Sequence, residues 1–145
     1  MLKDILTPDV VEFNVDGIDS PEEAIRFSGK LLEKSGKIKN SYVEKMVDSF
    51  HELGPYSVIA PGIALPHATP SGDVLVLCLS FVQLKHPISF GHPDNDPVKI
   101  IFAIAGVGHG EHLELLQSLS ALLGNADKIE KLKTISSFDE LQKLL

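Results

Sequence analysis

The sequence predicts an α/β protein, a single-domain sandwich with a central mixed sheet flanked by helices on both faces. Two apolar runs, 74–84 and 98–105, are nearly uninterrupted, which is typical of strands covered on both faces. Capped amphipathic segments precede and follow these runs, so the elements come in the order helix, helix, strands, helix, helix. No repeat, linker or low-complexity segment divides residues 1–145, and we expect one domain.

Composition agrees with one compact domain and excludes one class of partner. The chain has 145 residues, 43% of them hydrophobic, and a domain of about this size buries about two-thirds of its unfolded surface without a disulfide or a metal. Thirteen basic and twenty acidic residues give a net charge of -7. The lysines are scattered among acids, so we do not expect nucleic acid as a partner.

The single cysteine and the N-terminus indicate where the protein resides. Cys78 lies inside the first apolar run, where it is expected to pack as a small buried hydrophobe. No apolar run approaches the roughly 20 residues that a membrane-spanning helix needs, and acids interrupt the N-terminal segment where a signal peptide would be apolar. We expect a cytoplasmic protein.

Two helices are predicted before the strands. Ser20, Pro21 and Glu23 form a capping box with a proline in the first turn, and this helix should run to about Ser35 and end at Gly36. A second capping box is predicted from Ser41 and Glu44, and Gly54-Pro55 should end that helix. Apolar side chains recur on one face of each predicted helix: Ala24, Phe27, Leu31 and Leu32 in the first, and Val43, Met46, Val47 and Phe50 in the second.

The middle of the chain has the signals of a sheet. Segments 56–59 and 63–65 are short and broken by prolines and a glycine, which predicts strands at an edge or an end. Runs 74–84 and 98–105 are predicted as central strands. The segment from His86 to Pro97 contains three prolines and an Asp94-Asn95-Asp96 cluster, so it is predicted as a surface loop.

Helices should complete the chain. A third helix is predicted from Gly110 or Glu111 to Leu123, followed by a short one from Ala126 to about Leu132. A last helix should be capped by Ser137 with Glu140. In the third helix, one face is formed by His112, Leu115, Leu116, Leu119 and Leu122.

Six histidines are the side chains that titrate naturally near neutral pH, so acid–base or nucleophilic chemistry should fall to one or two of them. His67 follows a short apolar strand, and the two prolines and the glycine of segment 61–66 stiffen its backbone, as a reacting group requires. The alternative is a surface histidine in a proline-rich loop. His112 opens the third helix at the end of a central strand, where free N–H groups and the helix dipole favour a phosphoryl group. The alternative is a ring that packs on the helix face.

The remaining histidines carry weaker signals. His109 lies between glycines and is a minor candidate for the same site. His86 and His92 are interpreted as loop residues, and His51 as a cation near the last carbonyls of a helix.

Several other chemistries lack their sequence signals. His109 and His112 could hold a metal on one helical turn, but no cysteine pair or HExxH motif completes a zinc site, so no metal is expected. The chain also lacks a P-loop, a GxGxxG turn and a G-x-S-x-G elbow. A mechanism centred on histidine remains.

The segment 62–68, Gly-Ile-Ala-Leu-Pro-His-Ala, followed about forty-five residues later by Glu111-His112-Leu113, resembles a known family. It is similar to the enzyme IIA domain of the bacterial phosphoenolpyruvate:sugar phosphotransferase system, in the mannitol/fructose superfamily. Segments 54–68, 90–91 and 95–99 most resemble the ascorbate-specific branch.

The resemblance implies a mechanism and its partners. His67 would accept a phosphoryl group from phosphohistidine on the carrier protein HPr and pass it to a cysteine of a IIB component, with a membrane IIC component involved indirectly. His112 would orient the His67 ring or bind the phosphoryl oxygens, and no cofactor would be needed. Mannitol and fructose members carry an arginine-glutamate pair upstream, whereas this chain has His51-Glu52 there and Arg26 as its one arginine. Backbone N–H groups, His112, Thr69 and His109 would then hold the anion.

Two other functions stay open from the sequence. One is a regulatory protein of the nitrogen-related enzyme IIA type, which controls partners through its phosphorylation state. The other is a metal-dependent hydrolase that uses His109 and His112. The sequence reveals neither the transported sugar nor the oligomeric state.

Overall fold

The computed structural model describes residues 1–107 and 109–145, and for His109 it describes the backbone alone. The helices of this described part are α1 (Leu2–Ile5), α2 (Pro21–Lys34), α3 (Asn40–Leu53), α4 (His109–Leu123), α5 (Ala126–Leu132) and α6 (Phe138–Leu144). Its strands are β1 (Val11–Val15), β2 (Val58–Ala60), β3 (Ile63–Ala64), β4 (Cys78–Leu79), β5 (Phe81–Ile88), β6 (Val98–Ile101) and β7 (Ile104–Ala105). Short 3-10 turns cover Pro8–Val10 and Pro55–Ser57.

The main sheet is mixed and has five strands in the order β1-β5-β6-β3-β2. β1 runs parallel to β5 and β3 parallel to β6, whereas the β5–β6 and β2–β3 pairs are antiparallel. β5 and β6 occupy interior positions, as predicted for the two apolar runs. The prediction of one strand over 98–105 is wrong, because this run divides into β6 of the main sheet and β7 of a separate two-stranded sheet. The short segment at Val58–Ala60 forms an edge strand, as predicted, whereas β3 lies between β6 and β2 and is not at an edge.

Helices cover both faces of the main sheet, which confirms the predicted fold class. Residues 81–84 at the start of β5 are all buried. On one face the Gln83 amide donates to the carbonyl of Leu132, the last residue of α5, at 3.0 Å and to that of Ile135, three residues beyond it, at 2.7 Å. On the other face the Ser80 hydroxyl donates to the Ser28 carbonyl of α2 at 2.9 Å.

The prediction of one strand over 74–84 is wrong. Residues 78–79 form β4, which pairs with β7 in a separate two-stranded sheet, and β5 begins after Ser80. Residues 75–76 lie outside any strand, and their side chains are about half exposed. An apolar run cannot reveal such a break, because both sheets bury their strands in the same core.

β5 also extends further than predicted, through His86 and Pro87 to Ile88, so these two residues belong to a strand and not to a loop. The exposed end of this strand tolerates a proline, which offers no backbone donor. The surface loop begins after it, at Ser89. Asp96 organises this loop by accepting from the Ser89 hydroxyl and from the backbone N–H groups of residues 90–92.

One predicted capping box is correct and one is wrong. The Ser20 hydroxyl accepts from the Glu23 N–H at the start of α2. α3 instead begins at Asn40, with no side-chain cap. The Ser41 hydroxyl donates to Asp73 at 3.3 Å, and the Glu44 carboxylate pairs with Arg26. The second Ser-x-x-Glu pattern is therefore used for tertiary contacts.

The later helices agree closely with prediction. α5 has the predicted bounds, and the Ser137 hydroxyl caps α6 by accepting from the Glu140 N–H. None of the helices within the described residues combines the length and apolar composition needed to span a bilayer.

Candidate functional site

The backbone of His67 is placed by the parallel pairing of β3 and β6. Ile63 and Ala64 pair with Ile100 and Ile101. The pairing continues with the Phe102 N–H donating to the Ala64 carbonyl at 2.9 Å and the Ile104 N–H donating to the Pro66 carbonyl at 3.1 Å. The carboxyl ends of parallel strands meet at the same edge of a sheet. His67 and the segment after β7 therefore lie close together at this edge.

A depression of about 280 Å³ lies at this place and is open to solvent. The structure brings three of the predicted site residues, His67, Thr69 and His112, into its wall. Among the described residues, the lining consists of His67, Ala68, Thr69, Pro70, Gly106, Val107 and His112. The resemblance implies that His112 lies beside the His67 ring, and both residues line this depression. Their chemical roles stay predictions.

The His67 ring is held through Nδ1, which lies 2.8 Å from the Leu65 carbonyl oxygen. A carbonyl oxygen can only accept a hydrogen bond, so Nδ1 must carry the proton. The lone pair of the neutral ring is therefore on Nε2. A backbone contact two residues away thus selects which nitrogen can act as a nucleophile.

Tyr56 contacts that second nitrogen. Its hydroxyl lies 3.4 Å from His67 Nε2, and the two rings meet edge to face with centroids 5.5 Å apart. Partial burial raises the pKa of the Tyr56 phenol, so the phenol keeps its proton at neutral pH. It can therefore donate to the Nε2 lone pair.

His112 lies in the first turn of α4 and is partly buried. Its ring packs on the backbone of Gly106, where an added Cβ would lie only 2.5 Å from His112 Nδ1. A side chain at position 106 would therefore push the ring from its present place. The glycine after β7 lets the histidine reach the wall of the depression.

The segment after His67 is fixed by α3. The Tyr42 hydroxyl accepts from the Ala68 N–H at 3.0 Å and donates to the Ile104 carbonyl at 2.7 Å. The Lys45 ammonium donates to the Thr69 carbonyl at 2.6 Å and pairs with Asp73 at 2.8 Å.

The charged residues upstream of the site are engaged elsewhere. Arg26 of α2 makes two hydrogen bonds to Glu44 of α3, at 3.2 and 3.0 Å. His51 Nε2 lies 3.3 Å from the Glu22 carboxylate, so its observed partner is not a terminal carbonyl of its helix. These residues and Glu52 are not among those lining the depression.

The prediction for His109 falls on a side chain outside the described residues. His92 is a loop residue, as expected, and its Nδ1 accepts from the N–H groups of Asp94 and Asn95. In the part of the chain that is described, no three histidine, cysteine, aspartate or glutamate side chains gather as a metal site would require.

The sequence of this chain matches a known family. Residues 4–145 match the family model described as "Phosphoenolpyruvate-dependent sugar phosphotransferase system, EIIA 2". The chain belongs to the EIIA 2 family. The match spans almost the whole chain, so it includes the His67 segment and α4.

Three relatives illustrate what this EIIA 2 protein is similar to. An ascorbate-specific phosphotransferase EIIA component from Escherichia coli is 32% identical over 125 residues, which cover 86% of this chain and 81% of the relative. The mannitol enzyme IIA from Escherichia coli, solved in complex with phosphorylated enzyme IIB, is 30% identical with a TM-score of 0.82, and the match covers 96% of this chain and 95% of that chain. The nitrogen regulatory protein IIA-Ntr from Neisseria meningitidis is 26% identical with a TM-score of 0.83, over 99% and 97% of the two chains.

Three residues of the candidate site were missed from the EIIA 2 sequence. Tyr56 begins the predicted strand 56–59, and Tyr42 lies in the second predicted helix, beside the inward face that begins at Val43. Gly106 follows the apolar run 98–105 and carries no signal of its own. Tyr42 had a usable signal, because it extends the apolar face of α3 formed by Val43, Met46 and Val47. The contact between Tyr56 and His67 has no signal in residue spacing.

Proposed function

We propose that this EIIA 2 protein is a phosphoryl carrier that accepts a phosphoryl group on Nε2 of His67. The observation that carries the proposal is the 2.8 Å contact between Nδ1 and the Leu65 carbonyl. It places the ring's lone pair on Nε2, and His67 lines an open depression that a second protein can reach. Family membership supports the same chemistry.

The transfer of a phosphoryl group to His67 requires no metal or nucleotide bound to this chain. The Nε2 lone pair attacks phosphorus in line, and the bond between phosphorus and the donor's histidine nitrogen breaks. The donor reacts as a phosphoimidazolium, protonated on its other ring nitrogen, and leaves as a neutral imidazole. The His67 ring becomes a phosphoimidazolium that keeps its Nδ1 proton. The Leu65 carbonyl faces this proton and stabilises the positive charge that develops on the ring.

The donation step reverses these changes. A cysteine thiolate of the acceptor attacks phosphorus, the bond from phosphorus to Nε2 breaks, and His67 returns to its neutral form with the proton still on Nδ1. The charge on the transferred group is held by His112, by Thr69 and by backbone N–H groups at the start of α4. His109, the other predicted contributor, would act from the same end of α4.

The partners follow from the proposed chemistry and from the relatives. We assign the donor as phospho-HPr and the acceptor as a IIB cysteine, with a membrane IIC component further along. The mannitol enzyme IIA, solved in complex with phosphorylated IIB, supports a IIB partner. The ascorbate-specific relative at 32% identity supports L-ascorbate as the transported compound. With these partners, we expect the protein to act in the cytoplasm.

A regulatory function of the nitrogen-related type is the second candidate. The likeness to IIA-Ntr over 99% of this chain favours it, because the fold and its site are compatible with both functions. The two functions differ in the acceptor. A carrier passes phosphate to a IIB cysteine, whereas a regulator changes the binding of a partner when it is phosphorylated.

The test uses the purified chain with phosphoenolpyruvate, enzyme I and HPr. We expect one acid-labile phosphate, mapped to His67 and attached at Nε2. His67→Ala should remove the label and keep the fold, since a partly exposed ring contributes little to the core. His51→Ala, which removes another exposed histidine, is the matched control. Labelling that persists in His67→Ala would refute the assignment.

A second measurement separates the two functions. The labelled protein is mixed with an ascorbate-type IIB component, and transfer to its cysteine is followed. Rapid loss of label from His67 supports the carrier. A label that stays on His67 while another partner's affinity changes supports the regulator.

A further inference from the structure

Tyr42 joins the two chain segments that form the depression. Its side chain is only 1% exposed, and its hydroxyl lies between Ala68, directly after His67, and Ile104, which begins the β7 strand leading to Gly106. Burial raises the pKa of the phenol, so the hydroxyl keeps the proton that it donates to the Ile104 carbonyl. One buried hydroxyl thus fixes the distance between the His67 segment and the chain that leads to α4.

Lys45 holds the same segment from the next turn of α3. Its ammonium contacts the Thr69 carbonyl at 2.6 Å, the Ser71 hydroxyl at 2.9 Å and an Asp73 carboxylate oxygen at 2.8 Å. The Asp73 side chain is 5% exposed, so this ion pair is shielded on one side from water. Three donors of one ammonium group therefore have three partners in the 69–73 segment.

These contacts bear on His67, because the orientation of its ring depends on the backbone around it. The Nδ1 contact to Leu65 requires residues 65–67 to keep their backbone conformation. The Ile104 contact to Pro66 holds this segment within it, and the Tyr42 contact to Ala68 holds it at its end. If residue 68 moves, the bond that keeps the proton on Nδ1 weakens.

We propose that Tyr42 and Lys45 are positioning residues, which hold segment 67–73 so that the His67 lone pair stays on Nε2 and faces the depression lined by His112. Neither residue lines the depression or touches the transferred group. The proposal deepens the proposed function and rests on it for the transfer rate, but the tautomer of His67 can be measured without any transfer.

The main test is Tyr42→Phe, which removes one hydroxyl and keeps the buried ring. The proportion of His67 protonated on Nδ1 is read from imidazole ¹⁵N chemical shifts. We expect wild type to carry the proton on Nδ1 and the variant to gain a population with the proton on Nε2. The rate of phosphoryl acceptance from phospho-HPr should fall about ten-fold, since small misplacements of a reacting group are costly.

The control variant must lose a comparable buried hydrogen bond that does not hold the His67 segment. Ser80→Ala removes the hydroxyl that donates to the Ser28 carbonyl at 2.9 Å, in a fully buried place that does not line the depression. Its Tm should fall as in Tyr42→Phe, with no change in the tautomer or rate. If both variants change the tautomer and rate alike, general loosening explains the effect and the proposal is wrong.

Lys45→Met supplies a second variant that leaves the core intact, because Lys45 is partly exposed. It should shift the tautomer in the same direction by less, and Lys45→Arg, which keeps a cation and its donors, should restore it. An unchanged tautomer in both Tyr42→Phe and Lys45→Met would overturn the proposal. If wild type is never phosphorylated, the proposed function fails, while the tautomer measurements still decide the positioning role.

Discussion

At the scale of single residues, we expect His112 to assist transfer of the phosphoryl group from His67 to the acceptor and not the attachment of that group to His67. It lines the same depression as His67 and packs on Gly106. His112→Ala should leave His67 able to accept phosphate but slow transfer to IIB by about 10²-fold, as loss of a single electrostatic donor typically does. Rapid-quench kinetics of both steps would measure this. Transfer to IIB at the wild-type rate would rule out the role.

Tyr56 should affect the equilibrium of phosphorylation. Its O–H faces the Nε2 lone pair in the free protein, and once Nε2 carries phosphorus that bond can form only to a phosphoryl oxygen. A hydrogen bond to a charged group is worth about 1.5–3 kcal/mol, against about 0.5–1.5 kcal/mol for a neutral one. Tyr56→Phe should therefore lower the equilibrium constant for phosphorylation by HPr about ten-fold. An unchanged ratio of phosphorylated to free protein would show that the Tyr56 hydroxyl forms no hydrogen bond to the phosphoryl group.

At the scale of elements, the link from α3 to the 69–73 segment should weaken in acid. Burial acts to raise the pKa of Asp73, but hydrogen bonds from Lys45 and the Ser71 N–H outweigh it and hold the pKa below the ordinary 3.8. A carboxylate with a lowered pKa stabilises the fold above its unfolded pKa, and this contribution is lost as the pH falls through the folded pKa.

Urea unfolding tests this contribution. The free energy of unfolding of wild type should exceed that of Asp73→Asn at about pH 6, and the difference should shrink toward about pH 3. Asp48→Asn, which removes an exposed carboxylate from α3, controls for net charge. Parallel pH profiles for wild type and Asp73→Asn would contradict the prediction.

The elements also show what residue patterns can and cannot predict. The Ser20 cap was predictable, because a helix start depends on residues within one turn. Ser41 has the same local pattern, but its partner Asp73 lies 32 positions away, which no local rule detects. β1 was missed although Val11, Phe13 and Val15 alternate as in a strand. The break at Ser80 is tertiary in origin, since it separates strands of two sheets.

At the scale of the whole molecule, the α/β class, the covered central strands and the shared location of the two histidines could be predicted. Strand order could not, because β1 pairs with β5 across 65 intervening positions and burial alone does not choose a neighbour. The contacts of Tyr42, Lys45 and Tyr56 with the His67 segment could not be predicted either. They join side chains and backbone of different elements, and distance along the sequence does not define such contacts.

Cys78 provides a test of the whole fold. Burial raises the pKa of its thiol to about 12, and only the thiolate reacts readily with disulfide reagents. We expect no labelling of the native protein by such a reagent and one labelled thiol per chain after denaturation. The labelling rate should then follow the population of opened molecules. Rapid labelling under native conditions would show that the β4–β7 sheet opens easily.

The placement of the two tyrosines has an optical consequence. The chain has no tryptophan and only two tyrosines, and both Tyr42 and Tyr56 contact the His67 segment. All tyrosine fluorescence of the protein, which dominates the ultraviolet emission of a chain without tryptophan, therefore originates beside the proposed phosphorylation site. A change in the charge of the His67 ring should alter the emission of the phenol in contact with it, so the unlabelled protein can report its own phosphorylation in real time.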